Sequence, residues 1–139
     1  MSFSKIYRAT VSAKRKPGVS QEEFSRRFAH HGTLAGPVLK KHDCITYIQV
    51  PWLPCTPGRL SQEFKSKLGP DMAAHLSFAE ADGIINLIFP TLDDLVGFFK
   101  DPAHAESLNA DVAEFADPVS TTFAIGDEVV VIQGGELRV

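Results

Sequence analysis

Polar and apolar residues alternate from Phe3 to Val11, with Phe3, Tyr7 and Val11 on one side and Ile6 among polar neighbours on the other, which predicts a first strand. A basic turn follows at Pro17-Gly18. Ser20 and Glu23 then make the S-x-x-E box that satisfies orphan N–H groups at a helix start. Phe24, Phe28 and His31 recur at helical spacing, so the face that carries two aromatics into a core also carries an imidazole. Gly32 and Pro37 predict an end to this helix near His31, with one further turn over Val38 to His42. Ile45 to Val50, β-branched and aromatic and closed by Pro51, predicts a second strand.

From Pro51 to Gly69 the pattern is broken by proline and glycine, with short helices predicted over Ser61 to Leu68 and Asp71 to Phe78. Trp52, Leu53 and Leu60 are apolar in this insertion, which suits a cover over the mouth of a cleft and equally a plain surface excursion. The pattern then repeats. Ile84 to Phe89 predicts a third strand between Asp82-Gly83 and Pro90, and Thr91 with Asp94 forms a second capping box. Leu92, Leu95, Val96 and Phe99 fall on one helical face, and Ala105, Leu108, Val112 and Phe115 on another that stops before Pro118. Thr121 to Gln133 predicts the last strand, ended by Gly134-Gly135.

This order, β-α-β, an insertion, then β-α-β, predicts an α+β chain: a ferredoxin-like antiparallel sheet with helices on one face, built as a single domain over residues 1–139. Neither Ile84 to Phe89 nor Val129 to Ile132 alternates, so both faces of the sheet are expected to leave water. Two sheets packed face to face in a homodimer, a dimeric α+β barrel, would bury the second face.

Composition narrows the functional classes. A net charge of −3 gives no global attraction to phosphate backbones, so no nucleic-acid partner is expected despite the basic spots at Lys14 to Lys16 and Arg26-Arg27. No stretch approaches a membrane span, and Cys44 and Cys55 form no C-x-x-C pair, which points to a cytoplasmic protein with reduced thiols. The five histidines make no recognised metal spacing, and no nucleotide-binding glycine loop or G-x-S-x-G elbow is present, so neither metal nor cofactor is expected.

Acid–base chemistry remains, for which histidine is the natural group at neutral pH. His31 and Asp82 are the leading pair, with His30 as the alternative inward-facing imidazole. A carboxylate facing an apolar cleft resists ionisation and can donate or accept a proton. Phe24, Phe28, Tyr47 and Trp52 are expected to wall that cleft, with His75 and His104 as reserve polar groups. Each aromatic is more readily explained as core and Asp82 as a turn carboxylate, while His31 is equally well explained as a group at a helix end.

Lys16-Pro17-Gly18-Val19-Ser20, Glu22-Glu23-Phe24, Phe28 and His31-Gly32-Thr33-Leu34 together resemble the EthD family of small ferredoxin-like proteins. Thr33 stands where that family commonly has proline. Asp82-Gly83-Ile84, Phe98 to Pro102, Phe115-Ala116-Asp117 and Ile125 to Glu128 resemble fungal members. The resemblance implies a dimeric barrel and a cofactor-free lyase, a decarboxylase, dehydratase or cyclase, acting on an aromatic polyketide or related phenolic metabolite. A competing expectation from the same family is a non-catalytic ligand-binding or accessory module.

Overall fold

The computed structural model describes residues 6–50 and 59–139. Strand β1 (Tyr7–Arg15) leads through the basic turn into helix α1 (Gln21–Lys41), followed by β2 (Thr46–Val50). Helices α2 (Arg59–Leu68) and α3 (Pro70–Ala73) come before the third strand. Then come β3 (Gly83–Phe89), α4 (Leu92–Lys100), a π-helical turn (His104–Leu108), α5 (Asn109–Ala113) and β4 (Ala116–Asp127). A small hairpin of β5 (Ile132–Gln133) and β6 (Glu136–Leu137) follows. The four long strands form one antiparallel sheet in the order β2-β3-β1-β4, so each βαβ crossover spans a strand of the other half. This is the ferredoxin-like arrangement predicted from the element order.

Both capping boxes form: Ser20 accepts from the Glu23 N–H at 3.1 Å, and Thr91 from the Asp94 N–H at 3.0 Å. Helix α1 does not stop at His31. It continues through Gly32 and Pro37 because Phe24, Phe28, His31, Ala35 and Leu39 make one unbroken buried face. The tertiary packing of that face outweighs the missing N–H of Pro37, roughly a 3 kcal/mol handicap in a helix interior. Pro37 and Thr33 lie on the exposed side, so the carbonyl that loses its helical partner can be met by water.

The second helical region also departs from expectation. On α4 the buried residues are Leu95 and Phe98, whereas Leu92 and Val96 are exposed. Beyond Pro102 the chain winds one π turn, closed by the Asn109 N–H on the His104 carbonyl, before α5. Ala105 is exposed, while Leu108 and Phe115 are buried. Strand β4 starts earlier than Thr121 and ends at Asp127, so Val129 to Val131 lie outside it and Ile132 belongs to the hairpin. A bulge between the Ser12 and Lys14 pairings absorbs Pro118, and Asp117 organises it by accepting from the Val119 N–H at 3.0 Å.

The sheet register sorts the side chains. Val11, Ile85, Tyr47 and Phe123 share the helix-covered face, and Thr10, Asn86, Ile48 and Ala124 share the open one. On the open face Thr10 bonds Asn86 at 2.9 Å and Ser12 bonds Thr122 at 2.6 Å, while Ile48 and Val50 stand exposed at the β2 edge. Between sheet and helices the core divides into two clusters. One gathers Val11, Ala35, Leu39, Leu87, Phe98 and Leu108; the other gathers Ala13, Phe24, Phe28, Phe115 and Ala116. Gly83 lets the second cluster close on the sheet, since a Cβ there would lie 3.0 Å from the rings of both Phe24 and Phe28.

Candidate active site

A cavity of about 150 Å³ lies where the two core clusters meet. Small side chains at Ala13, Ala35 and Ala116 leave the space, and Phe28, Phe98 and Phe115 wall it. Phe123, half exposed, marks where it reaches the surface. Its size is about that of a void able to hold one benzene ring.

Polar groups reach this apolar space from both halves of the chain: His31 from α1, Tyr47 from β2, His104 from the π turn, Asn109 from α5 and Thr121 from the β4 bulge. His31 is buried and His30 exposed, which settles the choice between them by helix phase. His31 Nδ1 lies 2.8 Å from an Asp111 carboxylate oxygen. An ionised carboxylate only accepts, so Nδ1 carries the proton and Nε2 is the ring nitrogen left free to exchange one. Among the described residues no hydrogen bond engages that Nε2.

His104 packs edge-on against Phe98 and Phe99, with ring centroids 5.0 and 4.9 Å away. Burial pushes its imidazole below the usual histidine value, the nearby His31 pushes the same way, and Asp101 opposes them more weakly. Burial pushes the Tyr47 phenol up to about 12, against a smaller lowering by the Gln49 amide and a lesser upward push from Cys44. Tyr47 therefore holds its proton at neutral pH.

The other residues expected at the site lie elsewhere. Asp82 is buried but outside the cavity lining, where its Oδ2 accepts from the Arg15 N–H at 2.8 Å and its Oδ1 lies 3.5 Å from Arg15 Nε. It pins the start of β3 to the end of β1 and does not meet His31. Phe24 is wholly buried behind Phe28, centroids 5.2 Å apart, and belongs to the core. His75 follows α3 at an exposed position away from the cavity. Trp52 and Leu53, expected over the cleft mouth, lie outside the described residues. The rest of the insertion, from Leu60 on, contributes nothing to the lining; the predicted helix over Asp71 to Phe78 is a single turn, and Phe64 and Phe78 meet edge to face at 6.4 Å.

Asp111 was not anticipated as the partner of His31. It had a signal: Leu108, Asp111 and Phe115 follow one another at helical spacing, so an acidic residue interrupts an apolar face. Among the described residues no three His, Cys, Asp or Glu side chains converge as metal ligands would.

The fold recurs in known structures. A dimeric protein of ferredoxin-like fold from Bacteroides fragilis superposes with a TM-score of 0.57 at 16% identity, over 91% of this chain and 98% of that one. A hydroxynitrile lyase from Passiflora edulis gives 0.54 at 12% identity, over 92% and 97%. An EthD-like protein from Ralstonia eutropha gives 0.53 at 15% identity, over 96% and 100%. No curated protein matches the chain by sequence. The EthD domain model matches residues 16–119, a span that runs from the basic turn into β4 and takes in His31, Asp111 and every cavity-facing helix, and so the chain belongs to the EthD family.

Proposed function

We propose that the cavity is the active site of a cofactor-free lyase that uses histidine acid–base catalysis on a phenolic or aromatic polyketide-derived substrate, one ring of which enters the cavity. The observation that carries this is the buried His31 facing an apolar space with Asp111 behind it at 2.8 Å. Decarboxylation, dehydration and aldol-type cyclisation share a carbanion or enol beside a carbonyl, and each needs a proton moved at carbon or oxygen. Asp111 holds the Nδ1–H and stabilises the imidazolium that forms when Nε2 takes that proton, and the same Nε2–H returns it. In decarboxylation Nε2 first takes the acidic substrate proton, the carbon–carboxylate bond breaks with loss of carbon dioxide, its electron pair enters the conjugated carbonyl system, and the same Nε2–H protonates the carbon left behind. In dehydration Nε2 takes the proton α to the carbonyl, the enolate electron pair forms the carbon–carbon double bond as the carbon–oxygen bond at the β carbon breaks, and the same Nε2–H protonates the departing hydroxyl, which leaves as water.

One of the similar structures is a hydroxynitrile lyase, which supports the fold as a housing for lyase chemistry. A homodimer with open sheet faces opposed belongs to the same proposal, supported by the exposed Ile48 and Val50 and by the dimeric Bacteroides protein. Light scattering should then give twice the 15.2 kDa chain mass. No helix among the described residues is long and apolar enough to cross a membrane, and Cys44 is a free thiol, in keeping with a cytoplasmic location.

The test is incubation of one-ring ortho-hydroxyaryl carboxylates and aryl β-hydroxy ketones in D2O, with products read by mass spectrometry. The wild type should release carbon dioxide from the carboxylates and place solvent deuterium on the carbon left behind, or release water from the hydroxy ketones to give the unsaturated ketone. A binding or accessory module would take up such compounds and return them unchanged and unlabelled.

A further inference from the structure

Gln49 and Tyr47 alternate on β2 and face the helices, paired with Ile85 and Leu87 of β3. The Gln49 Nε2 donates to the Phe28 carbonyl at 2.7 Å and to the Tyr47 hydroxyl oxygen at 2.9 Å. A backbone carbonyl only accepts, so the atom facing it is the amide nitrogen, and the orientation of the whole side chain follows. The Tyr47 oxygen therefore receives an N–H, and the phenolic hydrogen is directed elsewhere. Among the described residues it donates to none, and Tyr47 lines the cavity.

The Gln49 amide rests on α1 at Gly32. A Cβ at position 32 would stand 3.0 to 3.1 Å from its Oε1, Cδ and Nε2. The position is helical and needs no special backbone conformation, so space for the amide is what a side chain at residue 32 would remove. Three residues thus form a chain: Gly32 leaves a seat, Gln49 occupies it, and the Gln49 amide turns the Tyr47 hydroxyl.

We propose that Tyr47 donates a hydrogen bond to an oxyanion of the bound ligand, with Gln49 and Gly32 as the positioning residues that aim it, and that the cavity selects one-ring ligands carrying a phenolate or enolate oxygen. This rests on the cavity being the reaction site proposed above and names the charge it stabilises. Loss of the substrate proton to His31 leaves negative charge on the conjugated oxygen, and a fixed donor in a dry site stabilises that charge more than it does the neutral ground state. Burial makes the phenol harder to ionise, which suits a donor that keeps its own proton.

The experiment uses 4-nitrophenol, whose neutral and ionised forms absorb at different wavelengths, with nitrobenzene as a control of similar shape lacking the hydroxyl. The wild type should bind the dye enriched in its phenolate form. Tyr47→Phe should bind phenolate about 10- to 100-fold more weakly, the loss of a hydrogen bond to a charged group, while binding nitrobenzene as before. Gln49→Leu and Gly32→Ala should lose part of the same preference. Gln49→Glu, close in shape but an acceptor where the amide donates, should lose it as well. Unchanged phenolate affinity in Tyr47→Phe, or wild type that takes up only neutral phenol or no dye, overturns the oxyanion role; unchanged affinity in both Gln49 variants overturns the positioning chain. The two proposals fail separately. If His31→Asn abolishes deuterium transfer while Tyr47→Phe keeps its phenolate affinity, the donor falls alone; if His31→Asn keeps transfer while Tyr47→Phe loses that affinity, the histidine reading falls alone.

Discussion

His31 and His42 lie about three turns apart along α1, and each meets an aspartate from the second half of the chain, at 2.8 Å for Asp111 and 2.7 Å for Asp101. The pairs differ in what surrounds the imidazole. His42 sits at the helix C-cap with Nε2 on Asp101, and its Nδ1 side is packed so closely on Gly97 that a Cβ there would stand 3.0 Å away. Asp101 is buried and also takes Lys41 at 3.1 Å and the Ala103 N–H at 2.9 Å. That pair joins the C-terminal end of α1 to the residue that caps α4. Among the described residues only one nitrogen of His31 is engaged, and its ring lines a cavity. A histidine–carboxylate contact is thus a catalytic candidate when the ring keeps an unengaged nitrogen facing space for a ligand, and a structural joint when it does not.

The sharpest test of the contrast is a matched pair of substitutions. His31→Asn should slow deuterium incorporation at carbon by about 10² to 10⁴-fold with the fold retained. His42→Asn should leave turnover close to wild type. Equal losses in both variants would dissolve the distinction. Asp111→Asn should come next, since an amide can present its donor to Nδ1 and invert the tautomer; where such an inversion is complete the loss reaches about 10⁴-fold. Partial inversion would place Asp111→Asn between His31→Asn and wild type in kcat, with KM little changed.

The structural pair should answer in stability. His42→Asn or Asp101→Asn is expected to lower Tm by roughly 2–8 °C in differential scanning calorimetry, with Asp111→Asn losing less. Acid should separate the pairs further. The His42 hydrogen bond, then the Ala103 N–H and Lys41, hold the Asp101 carboxyl well below the usual carboxylate range. Because the folded value is depressed, this contribution is present above the ordinary carboxylate value and is lost as pH falls through the folded one. His104 works in the same direction nearer neutrality: burial favours its neutral form, so stability present above about 6.5 declines as pH falls through its lowered value. A His104→Gln protein should show a flatter Tm profile between pH 7 and 5, and Asp101→Asn a flatter one below pH 4. A profile unchanged by both substitutions would remove these groups from the acid response.

Local signals carried much of the fold. The two capping boxes, the turn at Pro17-Gly18 and the apolar run Ile84 to Phe89 are short-range patterns whose physics is complete within a few residues, and they appear where expected. The continuation of α1 through Gly32 and Pro37 was not legible there, because it depends on a buried face whose partners lie on the sheet and on α4 and α5. The π turn and the β4 bulge likewise answer to packing across the chain rather than to local periodicity.

The candidate site divides the same way. Helical spacing from Phe24 and Phe28 to His31 was enough to turn that histidine inward, and Tyr47 and His104 are found on the cavity with it. Asp82-Gly83 also stood out in the sequence; the carboxylate is found on Arg15, and the glycine admits two rings. Asp111 becomes the partner of His31 across 80 positions of chain, and Gln49 reaches Tyr47 and α1 only because β2 lies beneath Gly32. The sequence by itself determined the order of the main elements, the starts of α1 and α4 and the inward face of α1, because capping and periodicity act over a few residues. Tertiary structure alone decided which carboxylate meets which histidine and where the cavity opens, because both depend on the volumes left between elements distant in the chain.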